Sequence, residues 1–344
     1  MCWPHVKLHV NNTRRDKADD QEMNMDMRLL LSPLIYSLTY EVFYMYMGSG
    51  NVAHSELPKL KEVLLKSQRL RILKLGFHLG VPTYPPGPER ERNKSTYKIG
   101  ITQSRENIHP LNLLLQPGDK LPPLEELHLP MQYNWSREHC QIFRSSTDWT
   151  QIRRLDIGFG CPQIFFEEFQ GQTPGLKSFH TSFRQGPKRW EGAPPTCGDN
   201  PGCVVSFFDA IDALEELHIS NHDNDAGILF DAILKHSQSL RKLQFFTSLD
   251  QEYRRKQPVV WGAEKLEQLR EQAPNLQDLG IDIGLVGEDH TWPTDTTAVL
   301  TRFSHLHTLR LALHIPIAAN EFSVKYEYDP FEGDVSPPAL RIGL

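Results

Sequence analysis

Leu124-Glu-Glu-Leu127-His-Leu129 and Leu214-Glu-Glu-Leu217-His-Ile219 are one six-residue phrase written twice, 90 residues apart. The phrase returns as Leu70-Arg-Ile-Leu73-Lys-Leu75, Ile152-Arg-Arg-Leu155-Asp-Ile157 and Leu240-Arg-Lys-Leu243-Gln-Phe245. It returns again as Leu276-Gln-Asp-Leu279-Gly-Ile281, as Leu306-His-Thr-Leu309-Arg-Leu311 and, more weakly, as Leu176-Lys-Ser-Phe179-His-Thr181. Two looser copies precede these, at Trp3-Pro-His-Val6-Lys-Leu8 and Ile35-Tyr-Ser-Leu38-Thr-Tyr40. In a short strand successive side chains alternate between faces, so the apolar positions around the variable residue point one way and the variable residue the other.

Most copies start 24 to 38 residues apart, which brackets and slightly exceeds the period of leucine-rich repeats. Between copies lie helical patterns. Ser55 to Lys66 places Leu57, Leu60, Val63 and Leu64 on one face, with Ser55 as an N-cap. Asp225 to His236 buries Ile228, Leu229, Ala232 and Ile233, and Ala263 to Gln272 and Thr294 to Ser304 follow suit. Helix then strand, repeated, predicts an α/β leucine-rich-repeat right-handed solenoid, with parallel strands on the concave face and helices on the convex face.

The repeats span 29–317, after a charged segment, 1–28, that holds a degenerate first copy. Insertion loops are expected near 81–110 (VPTYPPGPERERNKS) and 185–203 (QGPKRWEGAPPTCGDNPGC), where Pro and Gly crowd together. Residues 318–344 lose the repeat and read as an irregular tail or incomplete cap.

Composition narrows the partners. The 344 residues are 39% hydrophobic and 23% charged, the balance of a folded chain. A net charge of −6 leaves no basic footprint for nucleic acid. Arg28 to Met47 contains Pro33 and Glu41 and is too polar to span a membrane. No signal peptide precedes the charged run Arg14 to Glu22, so the expected location is cytoplasmic or nuclear, with idle sequons at Asn11, Asn93 and Asn134. The five cysteines form no CxxC pair; Cys197 and Cys203 could bridge if oxidised, but free thiols in a reducing compartment are expected.

Several stretches suggest a more particular relationship. The run Asp148 to Phe179, with its spacing of Trp149, Cys161, Phe165 and Phe166, resembles filamentous-fungal F-box/leucine-rich-repeat proteins. So do Leu64 to Leu75 and the segment APNLQDLGI from Ala273, and the resemblance covers roughly residues 30–320. It implies repeats that hold a target protein, beside an F-box that docks on the adaptor of a cullin ubiquitin ligase. No F-box pattern is visible upstream of the repeats, so the adaptor is an expected partner only if that module lies ahead of Met1.

The candidate protein-binding surface is the concave face, read from the motif's variable and flanking positions. These are Lys74, Glu126, His128, Arg154, Asp156, His180, Glu216, His218, Lys242, Gln244, Asp278 and Arg310. Such mixed polarity suits partner selection. His218, His222 and Asp223 are metal-ligand types, but a strand followed by a loop lacks the helical spacing that brings such pairs together, so a structural or solvent role is expected. His128, His180 and His218 occupy equivalent places and could form a ladder on a pH-sensitive surface, but they are read as half-exposed side chains that coincide by chance. Trp149, Phe165, Phe166 and Phe169 are read as core. The pairs Glu125-Glu126 and Glu215-Glu216 face opposite ways and cannot cooperate as acid and base. With no nucleophile, phosphate-loop or dinucleotide motif, the sequence predicts no enzyme, no metal and no cofactor.

Overall fold

In the computed structural model the described residues are 5–12, 34–45, 57–80, 113–129, 133, 135–159, 163–182, 202–220, 226–246, 260–285 and 291–314. Ten strands form a single sheet, β1 (His5–Asn12), β2 (Ser37–Met45), β3 (Ile72–Gly80), β4 (Glu126–His128), β5 (Arg154–Phe159), β6 (Ser178–Ser182), β7 (Glu216–Ser220), β8 (Lys242–Phe246), β9 (Asp278–Gly284) and β10 (Thr308–His314). Spatial order equals sequence order and every neighbouring pair is parallel. Parallel neighbours require a crossover between them. The crossovers carry α1 (Leu57–Lys66), α2 (Arg137–Ser146), α3 (Gln163–Phe169), α4 (Gly202–Asp209), α5 (Ala226–Leu234), α6 (Ala263–Gln272) and α7 (Thr294–Leu300).

The repeat is visible in the backbone. In each copy from Leu70 onward two consecutive N–H groups at the strand entrance donate to one carbonyl of the preceding copy. Glu125 and Glu126 donate to Arg71 O at 2.7 and 3.0 Å, and Arg153 and Arg154 to Glu125 O at 2.7 and 3.0 Å. Lys177 and Ser178 then use Arg153 O, and Glu215 and Glu216 use Lys177 O. The same link continues through Arg241 and Gln277 to His307 and Thr308. A unit that satisfies its entrance amides only against its predecessor stacks by translation, as solenoids do.

Side chains sort as strand alternation demands. The first motif leucine or isoleucine (Leu70, Leu124, Ile152, Leu176, Leu214, Leu240, Leu276) is at most 1% exposed in each of these copies. The two inward strand positions are equally buried, from Leu73 and Leu75 in β3 to Leu279 and Ile281 in β9. Helix side chains complete this core. Phe166 of α3 meets Phe179 of β6 edge-on at 6.1 Å, and Phe207 of α4 meets Phe179 at 5.4 Å. Among the described residues the helices therefore cover one face of the sheet and leave the other bare.

The helical expectations hold with small differences in extent, while the Ser55 cap and the Ile228 side chain lie outside the described residues. Ala263–Gln272 matches throughout, whereas Thr294–Leu300 stops short of Ser304, where the chain turns toward the buried Phe303 and Leu306. The weak copy at Leu176 is an ordinary strand, because Thr181 is 0% exposed in the place of a leucine. Gly202 and Cys203, read as the end of an insertion loop, open α4, where Cys203 is buried. Asn11 falls in β1, whereas the insertion at 81–110, most of 185–203, the tail, the sequons at Asn93 and Asn134, and His222 and Asp223 lie outside the described residues. Among the described residues no helix is long and apolar enough to cross a membrane, and residues 37–45 of the Arg28–Met47 stretch form β2.

Trp149, Phe165, Phe166 and Phe169 are core, as read from the sequence. Cys140 lies among them, and burial pushes its thiol up to about 12 while Glu168 adds to the effect. The thiolate is the nucleophile, so the native protein should leave Cys140 unalkylated at neutral pH, and guanidinium should make it reactive. Peptide mapping after iodoacetamide checks this. Rapid native labelling of Cys140 would contradict its burial.

Candidate functional site

The bare face presents two parallel rows of side chains across the sheet. Strand register places Glu126, Arg154, Ser178, Glu216, Lys242 and Asp278 side by side in the first row. The second row runs Lys74, His128, Asp156, His180, His218, Gln244, Gly280 and Arg310. All twelve residues singled out in the sequence fall in these rows, because a residue and its neighbour two places on share a face.

From β3 to β7 the rows form a chain of contacts. Lys74 Nζ lies 2.7 Å from Glu126 Oε1, and His128 Nε2 lies 2.7 Å from the same oxygen. The other ring nitrogen of His128 is 3.4 Å from Asp156 Oδ2, and His180 Nδ1 reaches that oxygen at 3.0 Å. The rings of His180 and His218 stack 4.0 Å apart, 12° from parallel. In the adjacent row Ser178 donates its hydroxyl to Glu216 Oε2 at 3.1 Å. The three histidines therefore share an arrangement, as in the ladder alternative and not the chance coincidence, because parallel in-register pairing brings His180 and His218, 38 residues apart in the chain, into contact.

Asp156 is the centre of this chain, and local backbone geometry fixes it. The β5–β6 register shifts between Asp156 and Phe159. Gly158 takes φ 63 there, which its missing side chain permits, and its N–H turns back to Asp156 Oδ1 at 2.8 Å. Burial of Asp156 opposes ionisation, but hydrogen bonds from His128 and His180, and that of Gly158, hold its carboxyl well below the usual carboxylate range. Burial likewise opposes Glu126, yet Lys74 and His128 lower it. Burial pushes His218 down to about 4, and its stacked neighbour His180 adds to the shift.

From β8 to β10 the face is less closed. Arg310 Nη2 stands 3.5 Å from Asp278 Oδ2. Arg154 and Lys242 have no ion-pair partner among the described residues. Phe246, not singled out in the sequence, presents its edge to His218 at 6.5 Å. The doubled aromatic Phe245-Phe246 was the available signal: one ring must point inward and the next outward, and Phe245 is the buried one at 2% exposure.

Chemically, the face offers carboxylates in contact with imidazoles and with Lys74 and Arg310, with an aromatic edge beside them. Among the described residues no three His, Cys, Asp or Glu side chains converge to hold a metal ion. No family model matches the chain, and no curated protein matches it.

Proposed function

We propose that this chain is a leucine-rich-repeat solenoid whose bare sheet face binds another protein, acting as the substrate-recognition part of an F-box-type cullin ligase receptor. The observation that carries the binding reading is the pair of in-register polar rows spread over a continuous core. Ten strands present side chains at a fixed spacing of about 4.8 Å, a rigid extended surface rather than an enclosed pocket. The rows contain both signs of charge and several rings, which suits selection among protein partners. The ligase role rests on the resemblance of residues 30–320 alone and is associational.

A second reading has its own support. The same polar rows suit a repeat scaffold that assembles proteins without recruiting a ligase, because an extended face of mixed charge needs no adaptor to bind.

Affinity capture with the full chain tests both. Proteins retained by the native chain should be lost from the triple charge reversal Lys74→Glu, Arg154→Glu, Lys242→Glu. All three side chains stand on the sheet face away from the helices and outside the buried core, so the substitutions leave that core intact. Identical captured sets would sink the binding-face reading. Co-purification of the cullin adaptor supports the ligase role, and its absence beside a specific, charge-sensitive partner supports the scaffold.

A further inference from the structure

Charge on the bare face is matched unevenly. From β3 to β10 the two rows, with the residue just ahead of each strand, hold six carboxylates, of which five sit beside a cation or an imidazole. Glu125 faces Arg71 at 3.6 Å, Glu126 faces Lys74, Glu215 faces Lys177 at 3.4 Å and Asp278 faces Arg310. Asp156 lies between His128 and His180, and the sixth, Glu216, accepts from the Ser178 hydroxyl. The same set holds eight lysines and arginines, and four of them have no carboxylate partner among the described residues: Arg153, Arg154, Arg241 and Lys242. In a chain of net charge −6, the cations left over at these strand entrances stand out.

The four form two doublets, Arg153-Arg154 entering β5 and Arg241-Lys242 entering β8; three of the side chains are exposed and Lys242 is half-buried. Register sets Arg154, Ser178, Glu216 and Lys242 side by side, so the doublets stand three strand spacings, about 14 Å, apart. Arg153 is held in place. Its Nη1 donates to Gly175 O at 2.7 Å, and a Cβ on Gly175 would take the space the guanidinium occupies. A carbonyl positions a guanidinium without cancelling its charge, and a cation already in place loses less freedom when a partner arrives.

We infer that the two doublets hold an acidic segment of a partner protein, laid across β5 to β8 with a carboxylate over each doublet. An extended chain advances about 3.3 Å per residue, so aspartates or glutamates about four residues apart reach both doublets from one side of the segment. Arginine receives a carboxylate through two parallel N–H bonds, which fixes its orientation as well as its charge. Glu215 and Glu216 stand on β7 between the doublets, and over them the segment carries neutral or basic residues. A nucleic-acid strand has a phosphate on every nucleotide and would set one against those glutamates, where like charges repel. The inference rests on the bare face being the protein-binding face.

Panning a displayed library of random dodecapeptides on the full chain tests this. Enriched peptides should carry Asp or Glu at two positions about four residues apart. The double substitution Arg154→Ala, Lys242→Ala should weaken them about tenfold, and so should raising the salt from about 50 to 500 mM. A charge swap separates this from any damage to the fold. Peptides with both acids changed to lysine should lose the native chain and bind the Arg154→Glu, Lys242→Glu variant; failure of binding to transfer would overturn the inference. Enriched peptides that lack acids, or that ignore the double alanine substitution, yet are weakened by Lys74→Glu, would leave the bare-face reading standing and remove this one. Peptides indifferent to every bare-face substitution, or no enrichment at all, would remove both readings, as would binding of a single-stranded oligonucleotide in their place.

Discussion

Phe165→Ala should cost about 3–5 kcal/mol of unfolding free energy. The Phe165 ring is 0% exposed and touches aromatic rings from several elements. Trp135, just ahead of α2, lies 5.0 Å away and Phe169 of α3 stacks at 4.7 Å. Phe207 of α4 is at 5.8 Å, and Trp149, at 6.4 Å, comes from the short 3-10 turn Trp149–Gln151 before β5. Removing one ring therefore opens a cavity between successive repeats, where each unit is held by its neighbours. Edge-to-face and stacked pairs add about 0.5–1.5 kcal/mol beyond the area they bury. Urea unfolding checks this: the midpoint should fall sharply for Phe165→Ala and less than half as far for Phe165→Leu. Leu313→Ala, at a site 38% exposed, should stay within about 0.5 kcal/mol of native. A loss below about 1 kcal/mol for the alanine variant would show that this cluster does not join the repeats.

That cluster also shows what was legible in advance. The inward-pointing phrase Leu-x-x-Leu-x-Leu announced the strands from Leu70 onward, because burial of one sheet face forces period-two alternation and solvent on the other face relaxes it. Less legible were α2, α3 and α4. Arg137–Ser146 mixes the charged Arg137, Glu138 and Arg144 with polar residues and buries few apolar ones, Cys140 and Phe143. Its start is marked by Ser136, whose hydroxyl accepts from His139 N at 3.3 Å, but a lone serine is a weak signal. α3 and α4, at seven and eight residues, are too short to display a helical period against the aromatic background.

The site was legible by position and not by contact. Sequence periodicity placed twelve side chains on one face, and all of them stand there. It could not show that Asp156 gathers His128 and His180, because that depends on the bulge at Gly158 and on residues 28 and 24 positions away in the chain. Nor could it show that glycine, in the variable place of one copy, makes room for Phe246 and leaves Gln244 buried. Fixed register turns a list of variable residues into neighbours.

Acidification should destabilise the fold well before its carboxylates titrate. Burial pushes His139 and His218 down to about 4, from an ordinary 6.5, and lowers His236 as well. His139 is 5% exposed with Nε2 beside the Tyr133 hydroxyl at 2.9 Å; His236 sets Nε2 on Phe208 O at 3.1 Å. In the unfolded chain all three take up protons near 6.5, so between that pH and about 4 the unfolded state binds more protons than the native one. Stability is thus fully present above pH 6.5 and is lost progressively as pH falls toward 4. A shift of this size is worth up to about 3 kcal/mol for the well-buried His139, and less for the partly exposed His218. Asp156 and Glu126, whose pKa values are lowered, act in a later window: their contribution holds above the ordinary carboxylate range and fades only below it. Urea midpoints measured from pH 7.5 down to 4.5 should therefore fall steadily, with His139→Gln flattening part of the slope. An unchanged midpoint across that range would mean that these imidazoles are charged in the native state, against the apolar packing of Tyr133 and Phe143 around His139.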